Sequence, residues 1–306
     1  MPEKLPVHEA WPHINAIDWR ARDFALKKAY VCALLSELTY YHIPECELRD
    51  DNRANLIPCF AYQSTIRQDT AIDFGAMMRE LDFGDFSVVA RRYAIVIGVR
   101  TPGAIFFAIR GTRYLYNWLA NLWASTYVYE SGGASARFHR GFFRAILACA
   151  EPVRVGLGGI IRSQADLVPI YVTGHSLGGA LAAIMHSIWG MNVSGDVVHE
   201  GIVDNRLRTY ASYTFGMPRY GDLRAVTVHR QPYHLYNDLD IVPTVPPRWL
   251  RFESCFNEFQ LDGTSIESLQ QRESLRFARW VTRLLRGRTV ENHAIEVYRE
   301  RIGSSV

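Results

Sequence analysis

Ser176 stands between glycines in the sequence Thr173-Gly174-His175-Ser176-Leu177-Gly178-Gly179-Ala180, directly after the apolar run Ile170-Tyr171-Val172 and before an alanine-rich stretch. A Gly-x-Ser-x-Gly sequence with a strand before it and a helix after it is the setting of a nucleophile elbow. The turn from strand to helix is tight enough to require small flanking residues, and it pushes the serine hydroxyl out at the C-terminal edge of a sheet. The helix that follows offers free N–H groups and the positive end of its dipole to a developing oxyanion. The chemistry these residues can do is acyl transfer through a covalent serine intermediate.

A serine hydroxyl is a weak nucleophile until a base takes its proton, and the base needs an acid to orient it. On a strand-turn-helix elbow the chain order is serine, then aspartate or glutamate, then histidine. Of ten histidines in the chain, His293 alone follows residue 240. His175 reads as structural, because an elbow turns the neighbours of its serine away from it. The acid is open among Asp196, Asp204, Asp222, Asp238, Asp240 and Asp262. Asp238 and Asp240 are best placed, since both follow a predicted strand over 234–236.

These groups need a frame. Residues 18–41 read as an amphipathic helix, with Phe24, Val31, Leu34, Leu35, Leu38 and Tyr41 at helical spacing and Pro44 closing it. Residues 49–70 are polar and irregular, and a short helix is expected near 74–81. Runs at 93–99 and 104–109 read as strands joined by the turn Arg100-Thr101-Pro102-Gly103. Beyond residue 140 the pattern alternates: helix 141–161, strand 167–172, helix 177–189, then strands near 210–215 and 234–236. Strands alternating with helices imply βαβ units and a largely parallel sheet.

Four ordered motifs resemble the class 3 lipases, the α/β-hydrolase family that includes the fungal triacylglycerol lipases. They are Phe107-Ala108-Ile109-Arg110-Gly111-Thr112 ahead of Asn117-Trp118; His139-Arg140-Gly141-Phe142; the elbow; and Tyr213-Thr214-Phe215-Gly216-Met217-Pro218-Arg219 followed by Asp240-Ile241-Val242-Pro243 and Pro246-Pro247. His293 and Tyr298 stand in the family's closing pattern. The resemblance implies an α/β-hydrolase fold, a mostly parallel central sheet flanked by helices with an N-terminal helical extension. It implies Asp240 as the acid, His293 as the base, and an oxyanion hole from the Leu177 backbone and from Thr112. The family commonly has an aspartate where Asn121 stands here, a partner for the arginine at Arg110. The implied activity is hydrolysis of acyl esters of glycerolipids, with no metal or organic cofactor. The same triad would serve phospholipid, galactolipid, thioester or peptide substrates. A non-catalytic lipid-binding relative is expected to have lost at least one of Ser176, Asp240, His293 and Thr112.

Leu115, Trp118, Leu119, Leu122 and Trp123 fall on one helical face. In the family this segment is a lid; the alternative is a helix packed on the core. Arg272, Arg276, Arg279, Arg283 and Arg286 line one side of a predicted helix, with Phe277, Trp280, Val281, Leu284 and Leu285 opposite. That pattern suits either peripheral contact with an anionic membrane or a surface helix that solvates its arginines.

Composition bounds the rest. The chain has 306 residues, 48% hydrophobic and 21% charged, which excludes disordered, collagen-like and coiled-coil classes. A formal charge of +3 is too balanced for a nucleic-acid binder. Cys32, Cys46, Cys59, Cys149 and Cys255 are odd in number, with no Cys-x-x-Cys pair, which suits a reducing compartment. With no apolar leader and no apolar run of about 18 residues, a cytoplasmic location is expected. Residues 1–85 are expected to form the helical extension packed on the core and 86–306 the catalytic region, together one structural domain.

Overall fold

The computed structural model describes residues 6–40, 86–91, 94–111, 125–131, 134–160, 168–189, 209–227, 230–237, 240–261, 266–268 and 291–306. Its main sheet runs in the order β1 (Phe86–Arg91), β2 (Ala94–Arg100), β3 (Ile105–Ile109), β6 (Ile170–His175), β7 (Thr209–Phe215), β8 (Tyr233–Asn237), β9 (Glu258–Leu261) and β10 (Ile266–Ser268). The pairings β3·β6, β6·β7, β7·β8 and β8·β9 are parallel, while β1, β2 and β10 are antiparallel to their neighbours. The sheet is therefore mostly parallel, the arrangement of an α/β-hydrolase. β4 (Thr126–Ser131) and β5 (Ala134–His139) form a separate hairpin.

Helices cover both faces of this sheet, which is why its central strands are buried along nearly their whole length. Every residue of β3 and of β6 is buried. The twofold alternation of a strand then sorts side chains between two cores. Phe106, Ala108, Tyr171, Tyr213, Phe215 and Leu235 face α1 (Pro6–Ala16), α2 (Leu26–Leu38) and α6 (Ile295–Gly303). Ile105, Phe107, Ile109, Ile170 and Val172 face α3 (Arg140–Ile160) and α4 (Leu177–Trp189).

The helix expected over 18–41 begins only at Leu26, and from Lys28 to Leu38 every side chain is buried, so it is not amphipathic. The preceding residues are drawn into tertiary hydrogen bonds instead. Tyr171 donates its hydroxyl to the carbonyl of Trp19 at 2.6 Å, Tyr233 donates to that of Arg22 at 2.9 Å, and Tyr210 donates to that of Arg20. Carbonyls claimed by the sheet's tyrosines are lost to a helical ladder, and periodicity alone does not show that competition.

Farther on, the predicted elements and the observed ones agree closely. The turn at 100–103 joins two antiparallel strands, with the Thr101 N–H donating to the Ala104 carbonyl at 2.9 Å. Helix α4 spans the expected 177–189, whereas the strand before it starts at Ile170 rather than 167. The segments expected to be irregular at 49–70 and helical at 74–81 lie outside the described residues.

Candidate active site

The elbow is built at the C-terminal end of β6. Ser176 has φ 58°, in the left-handed region that non-glycine residues rarely occupy. Its N–H donates to the Phe215 carbonyl on β7 at 2.9 Å, and its own carbonyl receives the Gly179 N–H at 2.9 Å. Gly178 is required by proximity: a Cβ there would collide with the Ile109 carbonyl and stand 2.7 Å from the Arg110 carbonyl carbon. The end of β3 therefore rests directly on the elbow. A Cβ on Gly111 would lie 3.1 Å from Cβ of Ser176, so the backbone just past β3 runs beside the candidate nucleophile.

Asp240 lies just past the end of β8, and its side chain is fully buried. Its Oδ2 accepts from His293 Nδ1 at 2.7 Å and from the Tyr298 hydroxyl at 2.6 Å, and its Oδ1 accepts from the Val242 N–H at 2.9 Å. His293 closes a short 3-10 turn before α6, and Tyr298 lies within α6. Burial, reinforced by the neighbouring carboxylate, pushes the Tyr298 phenol well above its ordinary range, so it acts as a proton donor to Asp240. The Asn237 N–H donates to the Tyr298 oxygen at 3.1 Å, and the Asn237 side chain donates to the Asn292 carbonyl at 2.8 Å.

An Asp–His pair that fixes Nδ1 leaves Nε2 as the group that can take a proton. His293 Nε2 and Ser176 Oγ are both buried and find no hydrogen-bond partner among the described residues. Catalytic hydrogen bonds are often long before substrate binds. Leu177 is the first residue of α4, so its N–H lies in the turn that has no intrahelical acceptor.

Asp222, one of the acids open on sequence, is engaged elsewhere. It accepts from the Ala225 N–H at 2.9 Å and from the Arg137 N–H at 3.2 Å, as a cap on the short helix α5 (Leu223–Thr227). Asp196, Asp204, Asp238 and Asp262 lie outside the described residues. So do Thr112, Asn121, the lid candidates Trp118, Leu119 and Leu122, and the arginines Arg272, Arg276, Arg279, Arg283 and Arg286.

Apart from Ser176, Asp240 and His293, the residues His234, Cys255 and Glu258 are buried with ligand atoms within 4.8 Å of one another. The Met217 N–H donates to His234 Nε2 at 3.1 Å, so the ring carries its proton on Nδ1, which faces Glu258 at 3.4 Å. In that tautomer the imidazole has no lone pair left for a metal. The histidine instead anchors the backbone next to Gly216.

Gly216 is one position whose role composition and spacing did not reveal. It has φ 53°, and a Cβ on it would stand 2.6 Å from Asp240 Oδ2 and 3.1 Å from His293 Nδ1. The resemblance marks Tyr298 without showing its contact with Asp240, and Tyr40, whose hydroxyl lies 2.8 Å from His175 Nδ1, is marked by nothing in the sequence.

Residues 106–249 match the family model for lipase (class 3). The chain is thus similar to the class 3 lipases over its middle part. This region contains the elbow and Asp240, and His293 lies beyond it. A Rhizomucor miehei lipase is 30% identical over 175 residues, covering 54% of this chain and 44% of the relative. A secreted mono- and diacylglycerol lipase of Fusarium solani is 27% identical over 188 residues, covering 59% of this chain and 52% of the relative. The chain thus spans about half the length of these curated relatives. Among solved structures, the Rhizomucor miehei lipase propeptide complex matches at 25% identity over 62% of this chain and 63% of that one, with a TM-score of 0.46. The Rhizopus microsporus lipase matches at 20% identity over 75% of each chain, with a TM-score of 0.47.

The expected cytoplasmic location is corrected by these relatives, since the Fusarium enzyme is by name a secreted one. The cysteine argument failed for a physical reason. Cys32, Cys149 and Cys255 are all buried, and a thiol packed as a small apolar group is shielded in any compartment. No helix among the described residues is long and apolar enough to cross a membrane.

Proposed function

We propose that the chain is a serine carboxylester hydrolase that cleaves acyl esters of glycerolipids through an acyl-enzyme. The observation that carries this reading is the buried Asp240–His293 pair at 2.7 Å, set at the same sheet edge as a left-handed Ser176. Ser176 attacks the ester carbonyl while His293 accepts its proton at Nε2. The Leu177 N–H and the hydroxyl and backbone of Thr112 receive the negative charge on the carbonyl oxygen. His293 then protonates the departing alcohol, and a water molecule repeats the cycle to release the fatty acid. Asp240 holds the histidine tautomer and stabilises the imidazolium that forms in both steps. Each step needs only protein groups and water.

The lipid character of the substrate is supported by the relatives, which are named as lipases. Esters of p-nitrophenol of increasing chain length, mono- and triacylglycerols and phospholipids, assayed beside Ser176→Ala, test the reading. Turnover that rises with acyl length and vanishes in Ser176→Ala is the expected result. Near-wild-type turnover by that variant would remove Ser176 as nucleophile, and a preference for phospholipid would move the substrate class.

We extend the proposal to organisation and membrane contact. Residues 1–85 and 86–306 are taken as one structural domain, supported by helices α1 and α2 sharing a core with the sheet. Contact with anionic membrane through the arginine stripe at 272–286 rests on its sequence pattern. Salt-sensitive sedimentation with anionic liposomes supports docking, and absent or salt-insensitive binding leaves a solvated helix face.

A further inference from the structure

We propose that Tyr40 and His175 are positioning residues for His293, acting through two hydrogen bonds in series that end on its backbone carbonyl. This rests on the serine hydrolase reading and adds to it a pair of residues outside the triad, one of them contributed by the N-terminal segment.

The direction of each bond follows from chemistry. His175 Nε2 lies 2.6 Å from the His293 carbonyl oxygen. A carbonyl only accepts, so Nε2 carries the proton. Burial, and then the neighbouring His293, hold the His175 imidazole well below the ordinary histidine range, so the ring is neutral and its Nδ1 is bare. Tyr40 donates its hydroxyl to that Nδ1 at 2.8 Å. The hydroxyl of Tyr40 thus selects the tautomer of His175, and the tautomer decides whether the elbow attracts or repels the backbone of the base. In the other tautomer two lone pairs would face each other across the 2.6 Å contact.

The effect falls on the right atoms. His293 is preceded by Asn292, whose carbonyl is held by the Asn237 side chain at 2.8 Å. The carbonyl of His293 is held by His175, and its ring by Asp240. The rings of His175 and His293 pack 4.6 Å apart between centroids. Backbone and ring of the base are thereby fixed together, and one end of the arrangement is anchored on the sequence neighbour of the nucleophile. Misplacement of a catalytic group by about 1 Å can cost on the order of 100-fold in rate. Tyr40, just past the end of α2, lies well before the stretch that matches the lipase family. The N-terminal segment therefore contributes to the geometry of the base as well as to the core.

The test is a double-variant cycle in the full chain with a short-chain p-nitrophenyl ester, using Tyr40→Phe, His175→Leu and their combination, with His175→Gln as the conservative variant. The expected result for Tyr40→Phe is a kcat lower by about tenfold, the loss of roughly one hydrogen bond's worth of positioning, with KM within about twofold. His175→Leu falls further, His175→Gln recovers part of the loss through its amide N–H, and the double variant is no slower than His175→Leu. Wild-type kcat in Tyr40→Phe, a loss confined to KM, or losses that multiply in the double variant would each overturn the relay. If His175→Leu does not fold, Tyr40→Phe, which deletes a single oxygen, carries the test. The downfield proton resonance of the His293–Asp240 hydrogen bond gives a readout independent of turnover. It is expected to shift in Tyr40→Phe, and an unshifted resonance overturns the proposal. Absence of Ser176-dependent turnover in the wild type would sink the hydrolase reading instead, and the resonance would still decide the relay.

Discussion

Tyr298 donates its hydroxyl to Oδ2 of Asp240 at 2.6 Å, the same oxygen that receives His293. A buried carboxylate with few waters depends on its donors, and the removal of one leaves it undersolvated. Tyr298→Phe keeps the ring and deletes the donor, so kcat is expected to fall by about tenfold while the fold is retained. Asp240→Asn removes the orienting charge itself and is expected to cost on the order of 10⁴ in kcat. Ester hydrolysis by the two variants, beside their thermal unfolding, checks the ranking. Equal losses would show that Tyr298 is as central as the acid.

Gly216 tests how tightly the pair is enclosed. Gly216→Ala introduces a methyl group 2.6 Å from Asp240 Oδ2 and 2.8 Å from the Tyr298 hydroxyl, at a φ of 53°. At these distances the carboxylate must shift, and its hydrogen bond with His293 shifts with it. The expected outcome is loss of more than about 100-fold in kcat, the penalty for a misplaced catalytic group. A circular dichroism spectrum like that of the wild type separates this from unfolding, and activity within a few-fold of wild type would contradict it.

The turn at Ser176 and the candidacy of Asp240 could be read because local rules govern both. A tight strand-to-helix turn demands glycine around Ser176, and the Asp240 sequence sits in a motif that the resemblance recognises. His293 emerged as the candidate base by elimination along the chain. What could not be read was whatever depends on elements distant in sequence. Tyr40 reaches His175 across 135 positions, and Tyr298 reaches Asp240 across 58. The same blindness displaced the start of α2, whose preceding carbonyls are taken by Tyr171, Tyr210 and Tyr233 from three strands. The hairpin β4–β5 escaped notice because its exposed face interrupts an apolar pattern, with Val128 exposed and Tyr129 buried.

Besides His175, two buried histidines contribute to the loss of stability in acid. His139 is held down to about 4 by burial, and His186 to about 3 by burial and then by the charge of Arg230. A histidine whose folded value is depressed resists protonation in the native state, while the unfolded chain takes up the proton near 6.5. Stability from these residues is therefore fully present above about pH 6.5 and declines as pH falls toward the folded values, by up to about 1.4 kcal/mol per pH unit for each. Thermal unfolding is expected to be flat between pH 7 and 8 and to drop steadily from pH 6 to 4.5. His186→Gln, which retains a hydrogen-bonding group for Thr209, is expected to flatten that slope, and an unchanged slope would assign it to other groups.

Arg299 joins the C-terminal helix to the N-terminal ones, and its loss should be felt at both ends of the site. Its Nε lies 2.6 Å from Glu37 on α2, and its Nη1 lies 3.8 Å from Glu9 on α1. Glu37 is only 5% exposed, whereas Glu9 is 40% exposed at its side chain. The first contact therefore outweighs the second, because an exposed pair contributes at most about 1 kcal/mol. Truncation of one partner of a buried pair leaves the other charge poorly compensated, typically at a cost of about 3 to 5 kcal/mol. With its side chain 22% exposed, Arg299 is screened by solvent, so Arg299→Met is expected to fall below that range in urea unfolding, and the added change Glu37→Gln should recover part of it by removing the carboxylate's charge. Helix α2 leads into Tyr40 and α6 carries Tyr298, so the single variant is also expected to lower kcat more than it raises KM. A destabilisation that Glu37→Gln leaves uncorrected would mean that Arg299 acts through its packed methylenes rather than its charge.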